Sequence, residues 1–226
     1  AWNHREGKPV KLPHALACCL LEENMAIHDR SPRPPSDTGS SGLQVSLLEV
    51  RMVNTEAFRL LKLPPVGQIG MVVYDVDKTV AHYEKTFGIR PWSINTYQPV
   101  FTREQSGPVH ATLKIAMAYT GGVQIELIQV TQGRSYYNDT LDHREGLHHL
   151  GFMVNDLEKR VAACQDQGIG IIQRGQIKHK GFTVDYAYMD TLSFGGVIFE
   201  FIQTRLGPIP IKMNRFTHHL SCRLGI

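Results

Sequence analysis

Apolar residues alternate with polar or small ones along Gln68-Ile69-Gly70-Met71-Val72-Val73, and again along His149-Leu150-Gly151-Phe152-Met153-Val154. A period of two puts Gln68, Gly70 and Val72 on one strand face, and His149, Gly151 and Met153 on the matching face of the second copy. Each run then gives way to a helical period. Val76, Val80, Tyr83 and Phe87 mark one side of a helix that Asp75 caps and Gly88 ends. Leu157, Val161 and Cys164 mark another, entered through Asn155-Asp156 and stopped at Gly168.

Beyond each helix, stretches rich in β-branched and aromatic residues are separated by Gly and Pro. They predict strands over 92–101, 110–119 and 123–130 in the first copy, and over 169–174, 182–190 and 197–203 in the second. The last strands repeat almost residue for residue, Gly121-Gly122-Val123-Gln124-Ile125-Glu126-Leu127-Ile128-Gln129 against Gly195-Gly196-Val197-Ile198-Phe199-Glu200-Phe201-Ile202-Gln203. The glycine pairs precede strands, not helices, and read as turns, not phosphate loops. The predicted fold is α+β: two βαβββ modules, 66–133 and 146–204, forming a curved mixed sheet around a metal-binding cavity. Glu126 follows Gln68 by 58 residues and Glu200 follows His149 by 51. A longer loop in the first module is expected to absorb the difference.

The flanks lack this pattern. Residues 1–65 read as an N-terminal extension, linker-like and partly disordered, because Arg30-Ser-Pro-Arg-Pro-Pro-Ser-Asp-Thr-Gly-Ser-Ser-Gly42 buries little apolar surface. The functional unit is expected to begin near Met52, and 205–226 reads as a C-terminal tail.

With 226 residues, 42% of them hydrophobic, the chain can build one large domain or two small ones. Its formal charge of +3 is spread along the sequence, which argues against a nucleic-acid partner. No apolar run reaches membrane-spanning length, so no membrane is expected. Cys18, Cys19, Cys164 and Cys222 show no CxxC spacing; reduced thiols and a cytoplasmic location are expected.

Four polar residues remain at repeat-equivalent places: Gln68, Glu126, His149 and Glu200. Nitrogen and oxygen donors without thiolate suit a borderline or hard divalent ion, with Zn, Ni, Co, Mn and Mg all compatible. A carboxylate beside such an ion can serve as a base. His148 is expected on the opposite strand face from His149.

These motifs, together with Ser135-Tyr136-Tyr137 and Gly146-Leu147-His148-His149, resemble the vicinal oxygen chelate (glyoxalase/bleomycin resistance/dioxygenase) superfamily over about 66–204, and most of all its methylmalonyl-CoA epimerase and glyoxalase-like branch. The resemblance implies a divalent metal ion on Gln68, Glu126, His149 and Glu200. It implies an isomerase or epimerase that moves a proton at the carbon next to a carbonyl or thioester, with Glu200 as ligand and base. Glu126 is the leading second acid, and Glu104 and His110 are rivals for that role. A glyoxalase I-type lactoylglutathione lyase is the alternative, and a non-catalytic small-molecule binding or resistance protein is another.

Two departures bear on the substrate. Epimerases of this type carry histidine where Gln68 stands, whereas a Gln-Glu-His-Glu set is similar to that of some glyoxalase I enzymes. The arginines with which glyoxalase I grips glutathione find no match, since the residue four after Gln68 is Val72. The implied partner is a small molecule, an acyl-CoA or a glutathione adduct. Lys178-His179-Lys180, read as a basic loop, with Arg174 nearby, is the candidate phosphate contact. A homodimer is the expected assembly.

Overall fold

The two alternating runs lie side by side as neighbouring strands. In the computed structural model, which describes residues 2–3, 8–9, 61–142 and 144–224, β3 (Gln68–Val72) pairs antiparallel with β9 (Gly146–Met153) at the middle of an 11-stranded sheet. The chain divides into units Ala1–Val45 and Ser46–Ile226. In the first, β1 (Trp2–Asn3) pairs antiparallel with β2 (Lys8–Pro9). The expected linker at 30–42 and the start near Met52 lie outside the described residues.

In the second unit the predicted βαβββ topology is present in the second module and, with an added hairpin, in the first. The first module runs β3, α1 (Val76–Phe87), β4 (Ser93–Tyr97), β5 (Phe101–Glu104), β6 (Gly107–Val109), β7 (Ala111–Thr120) and β8 (Val123–Gly133). After a short helix, α2 (Tyr136–Leu141), the second runs β9, α3 (Leu157–Asp166), β10 (Ile171–His179), β11 (Phe182–Met189) and β12 (Ile198–Leu206). The sheet order is β4-β7-β8-β3-β9-β12-β11-β10-β5-β6. Two joins are parallel, β3 with β8 and β12 with β9, and the others along that order are antiparallel.

The extra residues of the first module are not a loop. The run predicted as one strand over 92–101 breaks at 98–100, and its second half forms the β5–β6 hairpin, which joins β10 at the far edge. Only three residues separate opposite margins of the sheet, so it must curl into a half-barrel. Val100 N–H donates to the Gln176 carbonyl (2.7 Å), and the Tyr97 ring meets His179 at 5.2 Å, which fastens the two margins.

One apolar cluster fills the concave face, with Val72, Leu113, Ile115, Ile128, Tyr137, Tyr186, Tyr188 and Ile198. Two more lie under the helices on the outside. Val76 and Val80 of α1 meet Ala116, Ile125 and Leu127; Leu157, Val161 and Cys164 of α3 meet Phe152, Ala187 and Phe201. Burial of these stripes is what holds both helices to the sheet. Phe87, predicted on the buried side of α1, is 64% exposed at the helix end and packs edge-on against Tyr83 instead.

The helix starts explain a feature of the repeat. Asp75 accepts from Lys78 N–H as predicted, but Asp156 makes no side-chain cap. A glutamine serves each first turn instead: Gln129 Oε1 accepts from Val76 N–H and Gln203 Oε1 from Leu157 N–H, both at 3.0 Å. The glutamine three residues after each glutamate thus ties the closing strand to its own module's helix.

Among the described residues, Cys164 and Cys222 are free thiols and no helix is long and apolar enough to cross a membrane. The segment expected as a tail supplies β13 (Ile209–Pro210), paired with β12, and α4 (Arg215–Leu224), both within the second unit.

Candidate metal centre

Strand register brings the four predicted residues together. Gln68 stands opposite Gly151, and His149 opposite Gly70. Glu126 lies beside Gly70 on β8, and Glu200 beside Gly151 on β12. The glycines are needed for room. A Cβ on Gly70 would fall 1.8 Å from His149 Cε1, and one on Gly151 would fall 2.8 Å from Gln68 Oε1. Each module's glycine therefore receives the other module's polar side chain.

Three oxygens converge on the His149 imidazole. Its Nε2 lies 3.0 Å from Glu200 Oε2, 3.3 Å from Gln68 Oε1 and 3.5 Å from Glu126 Oε2. His149 is fully buried, Gln68 and Glu200 nearly so, and the Glu126 side chain is 12% exposed. Glu200 Oε2 is buried, with His149 Nε2 beside it at 3.0 Å.

Burial opposes charge on His149, but the Glu200 carboxylate and hydrogen bonds with Glu126 and Glu200 outweigh it, pushing the imidazole up to about 9. Burial pushes Glu200 above the usual carboxylate range, against the pull of His149. His148 goes the other way, held well below the usual histidine range by burial and by the charge on His149.

The separations of 3.0–3.5 Å are those of hydrogen bonds and ion pairs to a single ring nitrogen. As they stand, no three His, Cys, Asp or Glu side chains among the described residues form a ready cation cluster. The donor types, one imidazole nitrogen and three oxygens without thiolate, fit a divalent ion.

Gln68, Glu126 and Glu200 open into a cavity of about 540 Å³, within the usual range for small-molecule sites. Its walls are largely apolar, with Ile115, Met117, Ile177, Val184 and Ile202 among them. Lys180 and Lys212 also line it.

Several expectations need correction. His148 is not on the opposite face: the register slips between Gly70 and Met71, so consecutive histidines both turn inward. Its Nδ1 lies 3.0 Å from His149 Nδ1, and its ring packs against Tyr137 and Tyr188. Lys178-His179-Lys180 is no loop. β10 extends through His179, and Lys180, with φ 47°, begins the turn into β11. Arg174 is engaged by Glu158. Neither rival second acid reaches the cavity. Glu104 Oε1 accepts from Tyr136 N–H at 2.6 Å, and His110 lines a separate hollow with Gln132.

Sequence reasoning also missed the tyrosines. Tyr188 stands beside Glu200 in register, and its hydroxyl lies 2.9 Å from that of Tyr137. Their only signal is an apolar strand face carrying phenols. Residues 211–213 and Thr217, His218 and Leu220 of α4 complete the wall, a contribution that a short, mixed-composition segment does not announce.

Comparison with known proteins bears on the family. A protein of Bacillus subtilis (strain 168) described as uncharacterized protein YqjC is 26% identical over 110 residues, 48% of this chain and 71% of its own. Among solved structures, a variant Streptomyces coelicolor methylmalonyl-CoA epimerase in complex with 2-nitronate-propionyl-CoA is 20% identical. It superposes with TM-score 0.49, covering 62% of this chain and 97% of that one. The Mycobacterium tuberculosis methylmalonyl-CoA epimerase is 19% identical with TM-score 0.46, covering 62% and 87%. A hypothetical protein, BH1468 of Bacillus halodurans C-125, is 20% identical with TM-score 0.45, covering 61% and 91%. The family model of the Glyoxalase/Bleomycin resistance protein/Dioxygenase superfamily matches residues 67–188, more than half of the chain, and the protein belongs to that superfamily.

Proposed function

We propose that this protein is a metal-dependent isomerase of the methylmalonyl-CoA epimerase type, transferring a proton at the carbon next to the carbonyl of a small acyl compound. The observation that carries the reading is the meeting of Gln68, Glu126 and Glu200 oxygens on His149 Nε2 at the base of a 540 Å³ cavity. In this reading the four side chains hold a divalent ion, which supplies Lewis acidity to the substrate carbonyl.

The chain's own residues do the rest. Glu200 is desolvated and raised in pKa, and so is a stronger base than an exposed carboxylate while still reachable from the cavity. It takes the proton from the α carbon. Glu126, on another strand and more exposed, is the group that returns a proton. Tyr188, its register partner on β11, walls Glu200 on that side. Lys180 and Lys212 offer ammonium groups to an anionic substrate end such as the phosphates of an acyl-CoA.

A lactoylglutathione lyase remains the second reading because an amide, Gln68, completes the donor set. Against it, no arginine lines the cavity among the described residues.

The test is exchange of the substrate α proton with deuterated solvent, using methylmalonyl-CoA and the glutathione hemithioacetal of methylglyoxal in parallel. Glu200→Gln is expected to slow exchange by roughly 10²–10⁴-fold while the protein stays folded. Unchanged exchange removes Glu200 as base. Preference for the hemithioacetal selects the second reading. A purified protein that takes up no divalent metal and turns over neither compound is a binding protein.

A further inference from the structure

The superfamily repeat has one difference that the site explains. In the closing strands, Gly-Gly-Val-Gln124-Ile-Glu126 corresponds to Gly-Gly-Val-Ile198-Phe-Glu200, so a buried amide stands where the second module has an apolar side chain. Their neighbours differ in the same way. Gln124 lies beside Gln68 in register, whereas Ile198 lies beside His149.

An amide poses a problem that an imidazole does not. Its two ends have nearly the same shape, so packing cannot choose between them, yet one end accepts and the other only donates. A cation needs the oxygen. Gln68 Oε1 faces His149 Nε2 at 3.3 Å, while Gln68 Nε2 donates to Gln124 Oε1 at 2.9 Å. Gln124 Nε2 in turn donates to the Tyr119 hydroxyl at 3.3 Å. Tyr119 and Gln124 are register partners on β7 and β8, so the bonds cross three strands on one rung. All three side chains are buried, and the Tyr119 ring is backed by His218 of α4 at 5.3 Å.

Resting on the metal-site reading above, we propose that Gln124 and Tyr119 are positioning residues that hold the Gln68 amide with its oxygen toward the site. Reversing the chain of bonds would aim N–H groups at His149 and at a bound cation. Tyr119 can accept or donate and so satisfies Gln124 in either sense; the sense is set at the other end of the row, where Gln68 Oε1 faces His149 Nε2, and Gln124 holds the amide there by accepting from its Nε2. His149 needs no such partner across the strand, because His148 Nδ1 meets its Nδ1 at 3.0 Å.

The experiment titrates metal-free full-length protein with cobalt(II), reading the visible absorption of the bound ion and the binding heat, with circular dichroism to check folding. Gln124→Met, which fills the space without a donor or acceptor, is expected to weaken cobalt affinity by ~10–100-fold. Gln124→Glu accepts from Gln68 in the same sense and is expected to stay within about threefold of the parent. Tyr119→Phe should cost about fivefold, the worth of one neutral hydrogen bond. If Gln124→Met binds like the parent while Gln68→Ala loses affinity, the positioning role is wrong and the metal site stands. If Gln68→Ala also binds like the parent, the metal-site reading itself fails. Equal losses in Gln124→Met and Gln124→Glu overturn the proposal, since a merely structural role would give them. Should Gln124→Met fail to fold, the contrast between Gln124→Glu and Tyr119→Phe decides: Gln124→Glu must bind at least as tightly.

Discussion

The two central strands and the two sheet margins obey different rules. At the centre, β3 and β9 are interchangeable in plan: each carries a polar side chain that lies over the other's glycine, and each is flanked by a strand bearing a glutamate. At the margins the modules diverge, since the first carries the β5–β6 hairpin and the second has nothing like it. The reciprocal packing of Gln68 on Gly151 and His149 on Gly70 leaves no freedom for either strand to drift. A hairpin added at an outer edge disturbs none of those contacts, and it serves to fasten the curled sheet.

The sharpest break in that equivalence concerns the two glycines. A methyl group on Gly70 would lie inside the buried His149 ring, which is walled by Tyr188 and His148 and has nowhere to go. On Gly151 it would press on Gln68 Oε1 and Ile202 Cδ1, at 2.8 and 2.9 Å, which can turn away, and on Gln68 Cβ at 2.9 Å, which moves only with its strand. Gly70→Ala, with three ring atoms of His149 within 2.4 Å, is expected to cost about 3 kcal/mol or more and Gly151→Ala less, about 2 kcal/mol. Urea denaturation of both variants checks this. Equal costs would mean that the modules accommodate overpacking alike.

A second asymmetry is titratable. Gln68 carries no ionisable group, whereas His149 has its pKa raised from the ordinary 6.5 to about 9 by Glu200 and Glu126, against the cost of burial. A group whose folded pKa exceeds its unfolded value adds stability that is complete below the unfolded value and disappears as pH climbs through the folded one. The raised pKa of Glu200 acts with the same sign. Metal-free protein should therefore lose on the order of 2 kcal/mol between about pH 6.5 and 9. Denaturation midpoints across that range, in a chelating buffer, measure the slope. His149→Gln should flatten it, and a parent protein whose stability rises with pH would contradict the His149–Glu200 pairing.

The same division governs what the residues disclose before any coordinates. Gln68, Glu126, His149 and Glu200 could be picked out because duplication placed them at matching positions and strand alternation assigned their faces. His148 could not, because a register slip puts consecutive residues on one side and defeats the period-two rule. Lys180 was misread because β10 runs five residues past its predicted end and carries the basic run to the cavity. The β5–β6 hairpin hid behind a continuous β-rich stretch whose break at 98–100 serves pairing with a distant strand, a long-range cause that local pattern does not carry. Tyr137 and Tyr188 have no counterparts in a repeat argument, and α4 acquires meaning only through the wall it completes.

The smallest effect expected separates two kinds of cation on the second module. Arg174 reaches Glu158 on α3, and both side chains are substantially exposed, at 31% and 69%. Water screens such a pair, so Arg174→Ala should change stability by less than ~1 kcal/mol. Because Arg174 is absent from the cavity wall, the same change should leave the KM for an acyl-CoA unaltered. Lys180 lines that wall from a left-handed turn position, which asparagine tolerates well. Lys180→Asn should therefore preserve folding and raise KM by about two- to fivefold, roughly the worth of one partly screened charge contact. The pair of measurements localises the anion contact: a KM that responds to Arg174 and not to Lys180 would place the substrate's charged end on the outer face of β10, away from the four donors.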